Sequence, residues 1–261
     1  MYIPSATKEF IFDLIASNKR EFGRALNEYR DIKIEKNVIE HAEGSAQVTI
    51  GNTKVLAGVK ITVGEPMHDK PNEGNLMTSA ELLPMASSDY EMGPPSPNAI
   101  EVARVIDRGI RAAGIIDTAA LFIEEGKVWD VFVDIYVLNY DGNLFDAGTI
   151  AATVALLSAR MPKLEGEKVI SEGIKDKLKT NGIITSCTFA KAAGKVFIDP
   201  DANEETFMDA RITIANDGKE LRAMQKGLRG SFTLQELNDA VSMSFEKHNG
   251  LKALMEKALG E

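Results

Sequence analysis

Apolar positions recur along this chain with two distinct periods, and each period predicts its own kind of element. Phe10, Ile11, Leu14 and Ile15 fall at helical spacing, which predicts a helix over residues 9–16 that Ser17-Asn18 breaks. After a charged stretch the period changes to two. Val48 and Ile50, then Val55, Val59, Ile61 and Val63, are β-branched. They predict strands over 45–50 and 54–63, joined as a hairpin by Gly51-Asn52-Thr53. Polar loops are expected from Gly64 to about Gly74 and from Ser87 to Ser96, the second holding Gly93-Pro94-Pro95. Ser96-Pro97 pairs a hydroxyl cap with proline at the first helical position, so a helix is predicted to run to about Ala113. Residues 121–123 and 128–138 read as another hairpin across Glu124-Glu125-Gly126-Lys127, and a helix over 148–159 follows.

The second half repeats this order loosely. Strands are predicted over 184–191, 195–198, 207–215 and 221–226, before a helix from Thr233. Thr233 and Glu236 form a capping box, with Phe232 and Leu237 as its hydrophobic staple. His248-Asn249-Gly250 is expected to interrupt that helix, which resumes over 251–259. Strands then helix, twice over, predicts an α+β fold of two β-rich halves with helices packed on the sheets. The chain reads as a single domain over 1–261, with an N-terminal core of about 8–160 and a C-terminal half of about 161–261. No tandem repeat or low-complexity linker divides it.

Composition narrows the class. At 261 residues, 44% hydrophobic and 26% charged, the chain suits a soluble globular protein with a substantial core. No stretch approaches the roughly 20 apolar residues of a membrane span. The start, Met1-Tyr2-Ile3-Pro4-Ser5, lacks the basic and apolar regions of a signal peptide. The single cysteine, Cys187, excludes an internal disulfide, and its apolar neighbours Ile183 and Phe189 suggest a buried thiol. A reducing, cytoplasmic setting is therefore expected. The net charge of −9 argues against nucleic acid gripped over the whole surface but leaves room for a local basic patch.

Candidate chemistry lies in four places. Arg104, Arg108 and Arg111 stand at i, i+4 and i+7 of the 96–113 helix, in one stripe opposite Val102, Val105, Ile106 and Ile110. Glu101 and Asp107 flank the stripe without filling it. The arginines suit a phosphate backbone or an acidic subunit, or form a solvated face. The stretch Asp146-Ala147-Gly148-Thr149-Ile150 opens the predicted 148–159 helix, where free backbone N–H groups would suit a phosphate. Yet Asp146 would repel an anion and Ile150 brings no cation. The plain alternative is a helix start with Asp146 as N-cap. The acidic cluster Asp199, Asp201, Glu204, Glu205 and Asp209 reads as a charged turn, or as carboxylates for acid/base work or Mg²⁺. Asp209 falls within a strand pattern, where an ion pair with Arg211 would account for it. His41, His68 and His248 form no metal pair, and no self-sufficient catalytic set is present.

Ordered motifs then join these features. Arg20-x-x-Gly23-Arg24-x-x-x-Glu28-x-Arg30 is followed by Ala42-x-Gly44-Ser45-Ala46 and Gly51-x-Thr53-x-Val55-x-x-x-Val59. Next come Glu101-x-x-Arg104-x-x-Asp107-Arg108-x-x-Arg111 and Tyr140-Asp141-Gly142-Asn143, which leads to the 146–150 turn. From about residue 8 to 245 the chain resembles the RNase PH family of phosphate-dependent 3′→5′ exoribonucleases. Catalytic members carry two glycines, a small hydroxyl residue and an arginine at the turn; this chain has Ala147-Gly148-Thr149-Ile150. Of their two later aspartates, Asp209 resembles the second. The first has no clean counterpart among Asn203, Glu204 and Glu205. Phe22 replaces an aspartate before Gly23-Arg24.

The departures make the chain similar to the non-catalytic RNase PH-type ring subunit of the archaeal exosome. The resemblance implies an RNase PH-type fold and a hexamer of three heterodimers, each with a catalytic RNase PH-type partner. It implies that phosphate attacks RNA at the partner's site, where Mg²⁺ is a further candidate, and that this chain takes no cofactor or metal. RNA-binding cap proteins and a single-stranded RNA 3′ end are the other implied partners, with no membrane. Arg104, Arg108 and Arg111 would then hold the RNA backbone, beside a degenerate phosphate turn at Gly148, Thr149 and Ile150. Two rivals stand beside this reading. In one the chain is itself a phosphorolytic exonuclease using Thr149 and Asp209; in the other its arginines bind acidic residues of a ring neighbour.

Overall fold

The computed structural model describes residues 5–166, 168–171 and 176–260, with side chains from residue 9 onward. The segment Met1-Tyr2-Ile3-Pro4, read for a signal peptide, lies outside the described residues. Helix α1 (Ser5–Ala16) precedes a sheet built from β1 (Ile32–Lys36), β2 (Gly44–Ile50), β3 (Thr53–Gly64) and β4 (Asn75–Leu82). Helix α2 (Pro97–Ala113) leads to β5 (Phe122–Glu124) and β6 (Lys127–Asn139), then to α3 (Leu144–Ser158). The strand order is β1-β2-β3-β6-β4, with β5 also paired to β6. Among the described strands only β4 and β6 run parallel, across the α2 crossover. A small hairpin, β7 (Lys163–Glu165) and β8 (Lys168–Ile170), separates this half from a second sheet. That sheet is β10 (Lys195–Ile198), β9 (Thr185–Ala192), β11 (Ala210–Asn216) and β12 (Leu221–Gly227), in that order. The one-turn helix α4 (Ala202–Glu205) and the long α5 (Leu234–Leu259) complete the chain.

The alternation of the first half works as its period requires. Val48 and Ile50, Val55, Ala57, Val59 and Ile61, and Val131, Val133, Ile135 and Val137 all point to one buried face. Helices α2 and α3 cover that face. From Leu144 to Leu156 every residue of α3 is buried, so the helix is covered on all sides and lies between the two sheets. It approaches β2 so closely that a Cβ on Gly44 would strike the Ala155 carbonyl. In the second sheet Cys187 and Phe189 face Ala240 of α5, while Ala190 and Ala192 meet Ile11 and Ile15 of α1 on the opposite face.

The expected α+β arrangement is what forms, with four corrections to its elements. β1, β4, the β7–β8 hairpin and the one-turn α4 were not anticipated: β1, β7, β8 and α4 are short, and the apolar residues of β4 do not alternate regularly with its polar ones. Helix α3 begins at Leu144, four positions before the expected 148. Asn143 takes the left-handed backbone (φ 52°), a conformation cheap for asparagine, and so turns the chain into the helix early. Helix α5 runs through His248-Asn249-Gly250 without a break. The His248 imidazole points inward, 2.9 Å from the Thr185 hydroxyl, so the residue anchors the helix instead of ending it. Asp209 precedes β11 and does not lie within it. The Thr233/Glu236 capping box forms, and Phe232 and Leu237 pack on the same core cluster.

Candidate functional site

The early arginine motif turns inward. Arg20 is buried and meets Glu204 through two bonds: its Nε donates to Oε1 (2.7 Å) and its Nη2 to Oε2 (2.5 Å). It also donates to the Ile198 and Asp199 carbonyls and lies 4.8 Å over the Phe197 ring. Arg24 donates to Asp199 Oδ2 at 2.8 Å and Glu204 Oε2 at 3.1 Å. Arg30 grips both Asp199 oxygens, at 2.7 and 2.8 Å. Burial and the neighbouring Arg20 charge lower the Arg24 guanidinium. For Arg30, burial also pulls downward, but the bonds and charge of Asp199 outweigh it and leave the group raised.

The acidic cluster is therefore neither a solvated turn nor an open carboxylate pair. Asp199 and Glu204 are wholly buried, and Asp201 caps α4 through the Glu204 N–H. Burial, with the charge of Glu204 beside it, pushes Asp201 up to about 6. Glu205 bonds the Tyr140 hydroxyl and the Asn143 N–H, and so ties α4 to the start of α3. Among the described residues no group of three or more His, Cys, Asp or Glu is placed to hold a metal ion.

The predicted phosphate turn is also relocated. Asn143, not Asp146, occupies the N-cap position, and Gly148, Thr149 and Ile150 lie inside the buried helix. Their backbone N–H groups fall beyond the first turn, where the helix itself uses them. A Cβ on Gly148 would lie 2.5 Å from Ile106 Cδ1, so α2 and α3 touch here. Ile150 is fully buried in the main core. Beside Thr149, between Arg108, Ser186 and Thr213, remains a cavity of about 10 Å³, the room of one water.

Asp146 is the buried hub below it. Its carboxylate accepts from the hydroxyls of Tyr29 (2.9 Å), Ser186 (2.8 Å) and Thr188 (2.8 Å), and from the Thr188 N–H (3.0 Å). Asn143 Nδ2 donates to both Asp146 and Asp199, at 2.9 and 2.8 Å, linking the hub to the arginine cluster. Burial pushes Asp146 up to about 6, against the lowering effect of these bonds. Sequence reading missed Tyr29, Asn143, Ser186 and Thr188 as members of this network. The signals that hinted at a role were the position of Tyr29 between Glu28 and Arg30 and that of Asn143 at the end of the Tyr140-Asp141-Gly142-Asn143 motif.

The α2 stripe is exposed at Arg104, Arg108 and Arg111, but it is not uniformly free. Arg111 Nε donates to Asp107 Oδ2 at 2.7 Å, and its Nη2 to the Leu76 carbonyl. Asp107 thus fills what the stripe was expected to leave open, because four residues of helix bring it alongside. Arg108 donates to Gln225 Oε1 of β12 at 2.6 Å. Arg104 has no hydrogen bond or ion pair among the described residues. Arg211 ignores Asp209: it pairs with Glu101 at 2.5 Å and lies 4.2 Å over the Phe145 ring. Asp209 is exposed, and its backbone alone is engaged, with the Lys191 carbonyl and the Gly230 N–H. The outer face of α2 can hold a polyanion by its phosphates, with Arg104 the cation least committed within the chain.

Residues 28–162 match the model of the 3′ exoribonuclease family, domain 1, and residues 182–247 that of its domain 2. Similar proteins include the exosome complex component Rrp42 of Methanothermobacter thermautotrophicus, 44% identical over 98% of this chain and 97% of that protein. The exosome complex component Rrp42 of Pyrococcus furiosus is 44% identical over 97% of this chain and 93% of its own length. A chain of the Archaeoglobus fulgidus exosome with RNA bound to the active site superposes with a TM-score of 0.88. It is 37% identical and covers 95% of this chain and 97% of itself. A chain of an archaeal exosome core superposes at 0.83, with 36% identity, covering 97% of this chain and 96% of that one.

Proposed function

The chain belongs to the RNase PH-type 3′ exoribonuclease family, and from that premise we propose that it is a non-catalytic subunit of an archaeal exosome ring. The observation that carries this is Ile150. It lies fully buried where catalytic members place their phosphate-binding arginine, and the space beside Thr149 admits one water. A phosphate needs room for itself as well as a cation, and although Arg108 borders that space, its roughly 10 Å³ is too small for a phosphate, and Ile150 adds no charge. The same observation weighs against the rival in which this chain performs phosphorolysis with Thr149 and Asp209.

In this reading three copies alternate with three catalytic RNase PH-type partners, and RNA-binding cap proteins sit on the ring. Phosphate, with Mg²⁺ as a further candidate, acts at the partner's site, and this chain takes no cofactor. Arg104 and Arg108 hold the backbone of the incoming RNA 3′ end. Arg111, committed to Asp107 and Leu76, stiffens the stripe and contributes less. Such contacts position a strand without reading its bases, which suits degradation of many sequences. The acidic net charge agrees with RNA confined to a channel. Among the described residues no helix is long and apolar enough to cross a membrane, and we place the assembly in the cytoplasm.

The test is phosphate-dependent RNA degradation by the purified chain, alone and mixed with its catalytic partner. Silence alone with activity in the mixture is the expected outcome. Nucleoside diphosphates released by this chain by itself would overturn the reading.

A further inference from the structure

Phe22 is fully exposed, and its backbone sits in the left-handed region (φ 59°, ψ 18°), which a bulky side chain rarely adopts. The turn is not loose. Gly23 N–H bonds the Arg20 carbonyl and Arg24 N–H the Glu21 carbonyl, while Arg20 and Arg24 on either side are anchored to Glu204 and Asp199. The buried arginines therefore dictate the turn, and Phe22 is held out at its tip. Strain of this kind persists where the surroundings over-determine it, and the aromatic gains no burial within the chain in return.

The tip is not isolated. Helix α1 ends only five residues before the turn begins, a span of at most about 18 Å. That helix exposes Phe10 and Phe12, and Phe12 lines a hollow of about 430 Å³ with Glu9, Asp13 and Phe207. Glu21 reaches the Asn203 side chain of α4, the helix that leads to Phe207, so turn and hollow share one end of the molecule. Of the described charged side chains, Glu9 and Asp13 line the hollow and Glu21 adjoins Phe22, with Lys19 in the link between.

We propose that Phe22 and the Phe12–Phe207 hollow form the docking face for a neighbouring subunit of the ring, taking an apolar side chain framed by Lys or Arg. This rests on the ring reading above. RNA bases also stack on exposed phenylalanines, but three carboxylates around the patch repel a phosphate backbone. The same carboxylates complement a basic-rimmed protein segment. The apolar patch supplies what an interface core requires.

Strain and docking make opposite demands on Phe22, which gives the test its resolution. Asparagine tolerates the left-handed backbone but offers no apolar tip. Phe22→Asn is therefore expected to raise the melting temperature of the isolated chain by about 2–4 °C. The same change raises the concentration for half-assembly with the catalytic RNase PH-type partner by about tenfold or more, read by mass photometry over a dilution series. Phe22→Leu, strained but apolar, stays within about threefold of wild type. Glu9→Lys combined with Asp13→Lys weakens assembly and reduces its salt dependence. The proposal is overturned if Phe22→Asn assembles at the wild-type concentration, or if it loses RNA affinity in an intact ring. A wild-type chain that forms no ring with the partner removes the ring reading itself, a separate and earlier failure.

Discussion

Arg30 and Asp199 meet fork to fork across 169 positions of sequence, Nη2 to Oδ1 at 2.7 Å and Nε to Oδ2 at 2.8 Å. Asp199 is wholly buried, takes a left-handed backbone (φ 49°) and accepts in addition from Arg24 and Asn143. One carboxylate is thus shared by two guanidinium groups, whose remaining charge Glu204, Asp201 and Asp141 help to balance, and it joins the segment before β1 to the turn after β10. A pair of this kind need not stabilise more than packed hydrocarbon would, but removing one partner leaves the other charge buried and unpaired.

Asp199→Ala is therefore expected to destabilise the chain by about 3–5 kcal/mol, lowering its melting temperature by roughly 10 °C. Arg111→Ala, which breaks an ion pair with a half-exposed arginine, shifts it by no more than about 2 °C. Thermal melts of the two variants compare a buried pair with a surface pair in the same fold. Equal shifts would show that the Asp199 cluster is solvated and its geometry unimportant.

Asp146 sets a pH dependence of definite sign. Burial raises it from 3.8 to about 6, so between those values the folded chain holds a proton that the unfolded chain has lost. Its contribution to stability is complete below about pH 4 and is lost as pH rises through 6. A difference of about two units corresponds to roughly 3 kcal/mol. Urea unfolding of the wild type and of Asp146→Asn, followed from pH 4 to 7, isolates this group. The wild type should lose stability relative to the variant over that window. Parallel curves would mean that the five donors around Asp146 keep it ionised throughout.

The legible parts of this chain are those whose partners are close in sequence. The β2–β3 and β5–β6 hairpins follow from alternation plus a turn, and the α2 and α5 starts from Ser96-Pro97 and Thr233-x-x-Glu236. β4 was hidden because its partner β6 lies beyond a helix, and its own residues alternate poorly. Asp199-Pro200-Asp201 reads locally as a surface turn, and only distant Arg20, Arg24 and Arg30 make it a core. The same arginines carried the family resemblance, so sequence located them without revealing that they face inward. The Asp107–Arg111 pair is readable from its spacing of four. Asn143 reset the start of α3 through Glu205, a contact that no local pattern contains.

Ile150→Arg tests whether the phosphate site is merely missing one side chain. Ile150 packs in the core of α3, and the neighbouring cavity of about 10 Å³ cannot take a guanidinium. The substitution is expected to cost about 3 kcal/mol or more and to leave the isolated chain without phosphorolytic activity. Recovery of nucleoside diphosphate release with normal stability would show that the helix start can reopen, and that one residue had silenced an otherwise complete site.

The arginine stripe separates RNA contact from helix bracing. Each cation that neutralises a phosphate on single-stranded RNA releases about 0.7 of a counterion, so losing one flattens the plot of log affinity against log salt by about that amount. In the reassembled ring, Arg104→Ala should reduce both affinity and slope, because Arg104 has no competing partner among the described residues. Arg108→Ala should act the same way but less strongly, since its release from Gln225 opposes RNA binding in the wild type. Arg111→Ala should leave the slope nearly unchanged, its charge being held by Asp107. Filter binding at four or five salt concentrations gives all three slopes. If the variants instead weaken ring assembly with slopes intact, the stripe binds an acidic face of a neighbouring subunit, and RNA is held elsewhere.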